Sequence, residues 1–239
     1  GKKKVDNVSF SVRKGEIVGI AGVEGNGQRE LIDVITGLAK YSYGSIKLLG
    51  KEVNELDIQG LRANGMVHIP EDRNLYGCAR SMTIKDNMVA DKITEPKYNK
   101  GVLLDEKAIK ADTDKWIDEY RVLCDNGEQL VGMLSGGNVQ KVLVGREISN
   151  APAVLLTAYA VRGLDINSSY LIYNLLNQQK EKGVAVVYVG EDLDVLLALC
   201  DRIVVLCNGH VNGILDARKV DKNQVGYLMT SLGKGDQNH

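Results

Sequence analysis

The sequence predicts an α/β fold: a mostly parallel sheet covered by helices, with an antiparallel β part and a helical insertion. Three observations predict it. A β-branched apolar run, Glu16 to Ala21, passes straight into the glycine-rich segment GVEGNGQRE and then into a helical pattern. In the last third of the chain, short apolar runs alternate with helical patterns, as a parallel sheet requires. Between them, residues 76–145 change to helix patterns with exposed charge, which reads as an inserted helical subdomain.

The elements follow in order. SFSVRKGEIVGIAG holds two strand-like runs about a Lys14-Gly15 turn. QRELIDVITGL places Leu31, Ile32, Ile35 and Leu38 at helical spacing, with Gly37 near the end. YGSIKLLG and GMVHIP read as short strands, and DEKAIKADTDKWIDEYRVL as an amphipathic helix that packs Trp116. After Gly136 another helix leads to APAVLLT, an apolar run suited to a buried parallel strand. SSYLIYNLLNQQKEKG is a helix whose expected N-cap is Asn167 or Ser168. VAVVYVG, a helix from Asp192, and DRIVVLCNG complete the alternation, with no internal repeat.

Composition narrows the function. The 239 residues carry 30 basic and 31 acidic side chains, a net charge of −1, so no nucleic-acid partner is expected and no basic face for an anionic membrane. No apolar run is long enough to span a bilayer, and no secretory signal is present. The four cysteines lack CxxC spacing and are expected to be reduced and mostly buried. His68 in a strand, His210 in a turn-like NGH and the terminal His239 are expected to be structural or solvated, and Lys2, Lys3 and Lys4 a solvated end. The opening GKKKVDNVSF, without Met, reads as a piece of a longer polypeptide.

Two motifs carry chemistry. In the first, Gly22, Val23, Glu24, Gly25, Asn26, Gly27, Gln28 and Arg29 have the G-x-x-x-x-G spacing of a loop whose backbone N–H groups cradle phosphates. The lysine position is Gln28 and the Mg²⁺-binding hydroxyl position is Arg29. A dinucleotide fingerprint fails, because the third glycine position is Glu30. On this motif alone a structural tight turn stays open. In the second, LSGGNVQK, Ser135, Gly136 and Gly137 open a helix and can turn backbone N–H groups toward an anion.

The order and spacing of LSGGNVQK resemble the signature motif of ATP-binding cassette (ABC) ATPases, in the form used by sugar and nucleoside importers. The resemblance then covers nearly the whole chain. GVEGNGQ looks like the Walker A loop, VHIPEDR the Q-loop region, RGLD the D-loop and EDLD the H-loop. Together they most resemble the second, C-terminal cassette of fused two-cassette importer ATPases. This implies a P-loop NTPase cassette over 1–239, with residues 76–145 as its helical subdomain.

The departures imply a lost chemistry. The family's Walker B Asp and Glu fall at Ala158 and Tyr159, the Q-loop glutamine at Glu71 and the H-loop histidine at Glu191. With Gln28 and Arg29, every side chain that handles metal, base or γ-phosphate is replaced. Loss of a general base alone costs about 10²–10⁴-fold in rate. The resemblance therefore implies no catalytic residue here, weak or absent ATP binding at this loop and no Mg²⁺ there. It also implies that Leu134, Ser135, Gly136, Gly137, Asn138 and Gln140 contact ATP held by a companion cassette, with Asp165 at the shared interface. The implied companion is the N-terminal half of the same polypeptide. The helical insertion and the segment after Glu71 would meet membrane permease subunits, served by an extracytoplasmic solute-binding protein, at the cytoplasmic membrane face. Two alternatives stand beside this reading: an active ATPase with non-standard residues, and an ABC-fold interaction module outside transport. An adenine-stacking aromatic upstream of the loop is not evident in this chain.

Overall fold

The structure is a computed structural model that describes residues 5–101 and 103–231; Lys2, Lys3, Lys4 and His239 lie outside them. In chain order, β1 (Ile17–Ala21) leads through the glycine loop into α1 (Gln28–Ile35). A hairpin of β2 (Lys47–Leu48) and β3 (Lys51–Glu52) precedes α2 (Ile58–Ala63) and β4 (Met66–Ile69). Then come α3 (Ile84–Val89), the hairpin β5 (Asn99–Lys100) and β6 (Leu103–Leu104), α4 (Glu106–Glu119) and α5 (Gly136–Ile148). Next are β7 (Val154–Ala158), α6 (Ile166–Glu181), β8 (Ala185–Val189) and α7 (Leu193–Leu199). β9 (Arg202–Cys207), β10 (His210–Asp216) and α8 (Lys222–Thr230) close the order. Two compact units divide these elements: Gly1–His68 with Ala151–Tyr159 and Tyr173–His239, and Ile69–Asn150 with Ala160–Ile172.

The first unit is built on a six-stranded sheet in the order β10-β9-β1-β8-β7-β4. β1 runs parallel to β8 and β9, β7 parallel to β8, and β10 antiparallel to β9. Every residue of β1 is buried, as an unbroken apolar run requires of a strand covered on both faces. Val18, Ile20, Leu31, Ile32, Leu156, Val187, Val189, Val204 and Leu206 form the core, each buried side chain worth about 1.5–3 kcal/mol. Gly19 is required by packing: a Cβ there would lie 2.7 Å from both Cys200 Sγ and Leu196 Cδ2, at the seat of α7. The start of β1 is held by charge. Asp201 Oδ2 accepts the Ile17 N–H at 2.9 Å, and Arg202 donates to both Glu16 oxygens at 2.5 and 3.0 Å. Burial pushes the Glu16 carboxyl up, but the Arg202 bond and the Arg13 N–H carry it below the usual range.

Three expectations need correction here. Residues 9–12 form no strand, although Val8, Phe10 and Val12 do alternate inward against the core; the period is there, but no neighbour pairs with it. α6 begins at Ile166, and its cap is neither Asn167 nor Ser168. Asp165 accepts the Ser168 N–H at 2.9 Å and its hydroxyl at 2.6 Å, because a carboxylate two to three residues upstream reaches the orphan donors better. His210 opens β10, exposed, rather than sitting in a turn. The thiols are all free; Cys78, Cys200 and Cys207 are buried and Cys124 half-buried. Burial pushes Cys78 up to about 11 and Cys200 up to about 12.

The second unit packs α3 against α4 and α5. Trp116 is buried in α4 with Lys92 Nζ 4.9 Å from its ring centre. α5 is buried from Asn138 to Gly145, and its Gly145 is needed: a Cβ would stand 2.3 Å from the Tyr120 ring. A π-helical turn, Arg73–Gly77, is capped by Asp72 and anchored by Arg146, which donates to the Gly77 carbonyl at 2.8 Å. Among the described residues, no helix is long and apolar enough to cross a membrane.

Candidate functional site

In the first unit, Gly22 to Arg29 connect the C-terminal end of β1 to α1. Gly25 (φ 88°) and Gly27 (φ 101°) take the left-handed conformation that a Cβ disfavours. Gly27 is the N-cap of α1 and offers no side-chain cap, so the helix's first N–H groups have no intrahelical acceptor. Asn26 fixes the loop from below. Its Nδ2 donates to the Leu206 and Met229 carbonyls at 3.2 Å each, and its Oδ1 accepts the Asn208 N–H at 3.2 Å.

Gln28 turns inward. It is 3% exposed, and its Nε2 donates to the Val23 carbonyl at 3.2 Å. A Cβ on Gly22 would lie 2.5 Å from that same nitrogen, so the amide fills the space beside the first glycine. Arg29, Val23, Glu24 and Gly25 are exposed. At the end of β7, Ala158 is buried and Tyr159 holds a left-handed φ of 50°, its N–H donating to the Val189 carbonyl at 2.9 Å. Tyr159 packs against the core cluster. Glu191, after β8, is exposed. At Gln28, Arg29, Ala158 and Tyr159, then, stand an inward amide, an exposed guanidinium, a methyl group and a phenol.

In the second unit the signature segment starts α5. Ser135 is the N-cap, its Oγ accepting from the Asn138 N–H at 3.4 Å and from Asn138 Nδ2 at 3.0 Å. Asn138 Oδ1 in turn accepts the Leu123 N–H at 3.0 Å. Ser135 and Gly136 are exposed and Gly137 half-buried, whereas Leu134, Asn138 and Gln140 are buried at 9, 7 and 1%. The exposed end of the helix therefore consists of one hydroxyl and the N–H groups of two glycines. The side chains of Leu134, Asn138 and Gln140 are buried in the protein, and Asn138 holds Ser135 from within.

Both glycines are pressed by neighbours. A Cβ on Gly136 would lie 3.0 Å from Arg73 Nη2, and one on Gly137 would lie 2.8 Å from Ser168 Oγ and 3.4 Å from Asp165 Oδ2. The Ser168 hydroxyl, then its backbone N–H, hold the Asp165 carboxyl below its usual range. Glu71 Oε1 pairs with Arg162 Nη1 at 2.6 Å, and Arg73 Nη1 donates to the Arg162 carbonyl at 3.2 Å. The unit thus gathers Glu71, the Ser-Gly-Gly turn and Asp165, residues far apart in sequence. Arg73, Arg162 and Ser168 join them without having been singled out by the sequence. Arg73 and Arg162 stand inside PEDR and RGLD, which was the available signal; nothing marked Ser168 as more than a cap.

Comparison with known proteins gives these segments a family. A family model described as "ABC transporter" matches residues 5–157, including both the glycine loop and the Ser-Gly-Gly helix start. The nucleoside import ATP-binding protein NupA of Lactococcus lactis is 36% identical over 229 residues, 96% of this chain and 45% of that protein. The glucose import ATP-binding protein TsgD13 of Haloferax volcanii is 36% identical over 235 residues, 98% of this chain and 43% of that one. The ribose import ATP-binding protein RbsA of Clostridium perfringens is 36% identical over 233 residues, covering 97% of this chain and 46% of its own length. The chain spans less than half the length of these curated relatives. A nucleotide-free ATP-binding cassette from an ABC transporter superimposes with a TM-score of 0.74 at 26% identity, covering 88% of this chain and 84% of that one. A dimeric cassette bound to ADP and Pi shares the fold, with a TM-score of 0.77 at 23% identity over 91% of this chain and 92% of that one. One family model takes in both the glycine loop and the Ser-Gly-Gly helix start, and the fold agrees with it along most of the chain: this protein belongs to the ABC transporter family.

Proposed function

We propose that this chain is one nucleotide-binding cassette, spanning 1–239 with a helical subdomain around 76–145, of an ABC importer of sugars or nucleosides. It is the second of two cassettes in one polypeptide, does not hydrolyse ATP at its own loop, and completes the ATP site of its companion. The observation that carries this reading is an asymmetry. The Ser135–Gly136 end of α5 is exposed and held from within by Asn138, whereas beside Gly22 the glycine loop is occupied by its own Gln28 amide.

The residues at the loop do not fit Mg²⁺-ATP hydrolysis. Gln28 is neutral and turned inward onto the Val23 carbonyl, and neither the Arg29 nor the Ala158 side chain supplies an oxygen for a metal. Phosphoryl transfer needs charge stabilisation from metal and cation together with an oriented water. The backbone N–H groups still fit a phosphate weakly. At the signature face, the Ser135 hydroxyl and the Gly136 and Gly137 N–H groups donate to the companion's γ-phosphate, and Asp165 borders the same interface. The sugar and nucleoside importers among the relatives support the transport class, and coverage of under half of each leaves room for a companion cassette. Exposed Leu75, Tyr76, Met82 and Met133 in the second unit support contact with permease subunits at the cytoplasmic membrane face. The solute-binding protein acts through that permease.

The test uses the assembled transporter and this chain in parallel. Ser135→Arg is expected to lower ATP turnover of the transporter about 10²-fold or more, the scale of losing preorganised phosphate donors. The chain by itself is expected to release no phosphate above background. Turnover untouched by Ser135→Arg, or phosphate release by this chain alone, overturns the proposal.

A further inference from the structure

Glu71 occupies the position where the family carries a glutamine, yet here it is engaged with an arginine. Its Oε1 lies 2.6 Å from Arg162 Nη1. The Arg162 carbonyl accepts from Arg73 Nη1 at 3.2 Å, and Nη2 of the same guanidinium lies beside Gly136. Arg73 Nη2, Cζ and Nε would be 3.0, 3.7 and 3.7 Å from a Cβ on Gly136, so the guanidinium sits beside the glycine with Nη2 nearest. Arg73 Nε is buried there and bonds nothing. Three charged side chains thereby join the segment after β4, the segment before α6 and the first turn of α5.

We propose that Glu71 is a positioning residue for the Ser135–Gly136–Gly137 turn, acting through Arg162 and Arg73. The proposal rests on the reading that this turn contacts the companion's nucleotide. The Glu71 carboxylate holds the Arg162 guanidinium by a charge-assisted hydrogen bond, and the main-chain carbonyl of the same residue holds Arg73. Arg73 then has a fixed acceptor and forms a wall against Gly136. Without the carboxylate Arg162 loses its anchor, Arg73 moves with it, and the turn loses its orientation toward a phosphate. An isosteric but neutral side chain fails for the same reason. Glutamine at this position, the residue the family resemblance leads one to expect, therefore lowers function here instead of restoring it.

The experiment is steady-state ATP hydrolysis by the assembled transporter. Glu71→Gln and Arg162→Gln are each expected to lower kcat about three- to fivefold, the range an exposed pair allows, with KM for ATP changed less than about twofold. The charge swap Glu71→Arg with Arg162→Glu is expected to return kcat to within about twofold of the starting protein, and Tm of every variant to stay within a few degrees. Wild-type kcat in both single variants, a swap no better than the worse single variant, or a kcat loss that tracks a fall in Tm would each overturn the positioning role. Ser135→Arg is run alongside. If it abolishes turnover while Glu71→Gln has no effect, the clamp is wrong and the signature reading stands. If it has no effect, the signature reading itself has failed.

Discussion

His68 makes stability depend on mild acid in a way that can be worked out in advance. It sits in β4, with Nε2 buried and without a hydrogen-bond partner. Burial, and then the positive charge of Arg62, lower it from 6.5 to about 4. The unfolded chain therefore takes up the proton first. Stability is complete above pH 6.5 and drains away as the pH falls toward 4, by about 3 kcal/mol in full and about 2 kcal/mol between pH 7 and pH 5. Against a typical stability of roughly 5–15 kcal/mol that is a large share. The carboxyls of Glu16 and Asp201 are both held below their ordinary range, so their contribution is lost only as the pH falls past their unfolded values, below the interval from pH 7 to pH 5. Urea unfolding followed by circular dichroism at pH 7, 6 and 5 should show the midpoint falling, and the His68→Phe variant should lose that slope. NMR titration of the imidazole in the unmodified protein should give a midpoint near 4. A midpoint near 6.5, or an unchanged slope in a folded His68→Phe variant, would refute the reasoning.

Two further outcomes follow from packing and hydrogen bonding. Gly145→Ala drives a methyl to 2.3 Å from the buried Tyr120 ring, so a loss of about 1–3 kcal/mol or more is expected, read as a lower unfolding midpoint with unchanged slope. A midpoint within experimental error of the parent would show that Tyr120 can move. Asn26→Ala strips the partners from the Leu206 and Met229 carbonyls and the Asn208 N–H; about 1–3 kcal/mol is at stake, and amide exchange should quicken in the loop and at the β9–β10 turn together. Faster exchange confined to the loop would contradict the idea that Asn26 joins the two.

The readable parts of the sequence were those governed by local period. Apolar runs such as VLLTA and AVVYV could only be buried parallel strands, and QRELIDVI announced its helix and the glycine turn before it. The segment at 9–12 shows the limit, since its alternation is real but a ladder needs a neighbour that local pattern cannot name. Asp165 escaped as a cap because helix signals favour several neighbouring polar residues equally, and only the geometry chose among them. The six-residue α2 and the β5–β6 hairpin left too few residues for a period to register. At the site, spacing located the glycine loop and the Ser-Gly-Gly turn. It was silent on the direction Gln28 takes, which depends on the lack of a side chain at Gly22 six residues earlier. It was equally silent on Glu71 and Arg162, whose pairing spans 91 residues. Contacts of that range are set by how the elements pack, and a single sequence does not record them.

The outer strand β10 has a bearing on assembly. Its antiparallel register with β9 shifts between Val211 and Gly213, and Asn212 at the break donates to the Leu228 and Ser231 carbonyls at 2.7 Å each. The residue that would otherwise offer its backbone evenly to a newcomer is tied sideways to the end of α8. A bulged strand of this kind is a poor template for continuing a sheet. Molecules of nearly the same fold, crowded together at high local concentration, would polymerise if their sheets could join edge to edge. At this edge the kink disfavours that route.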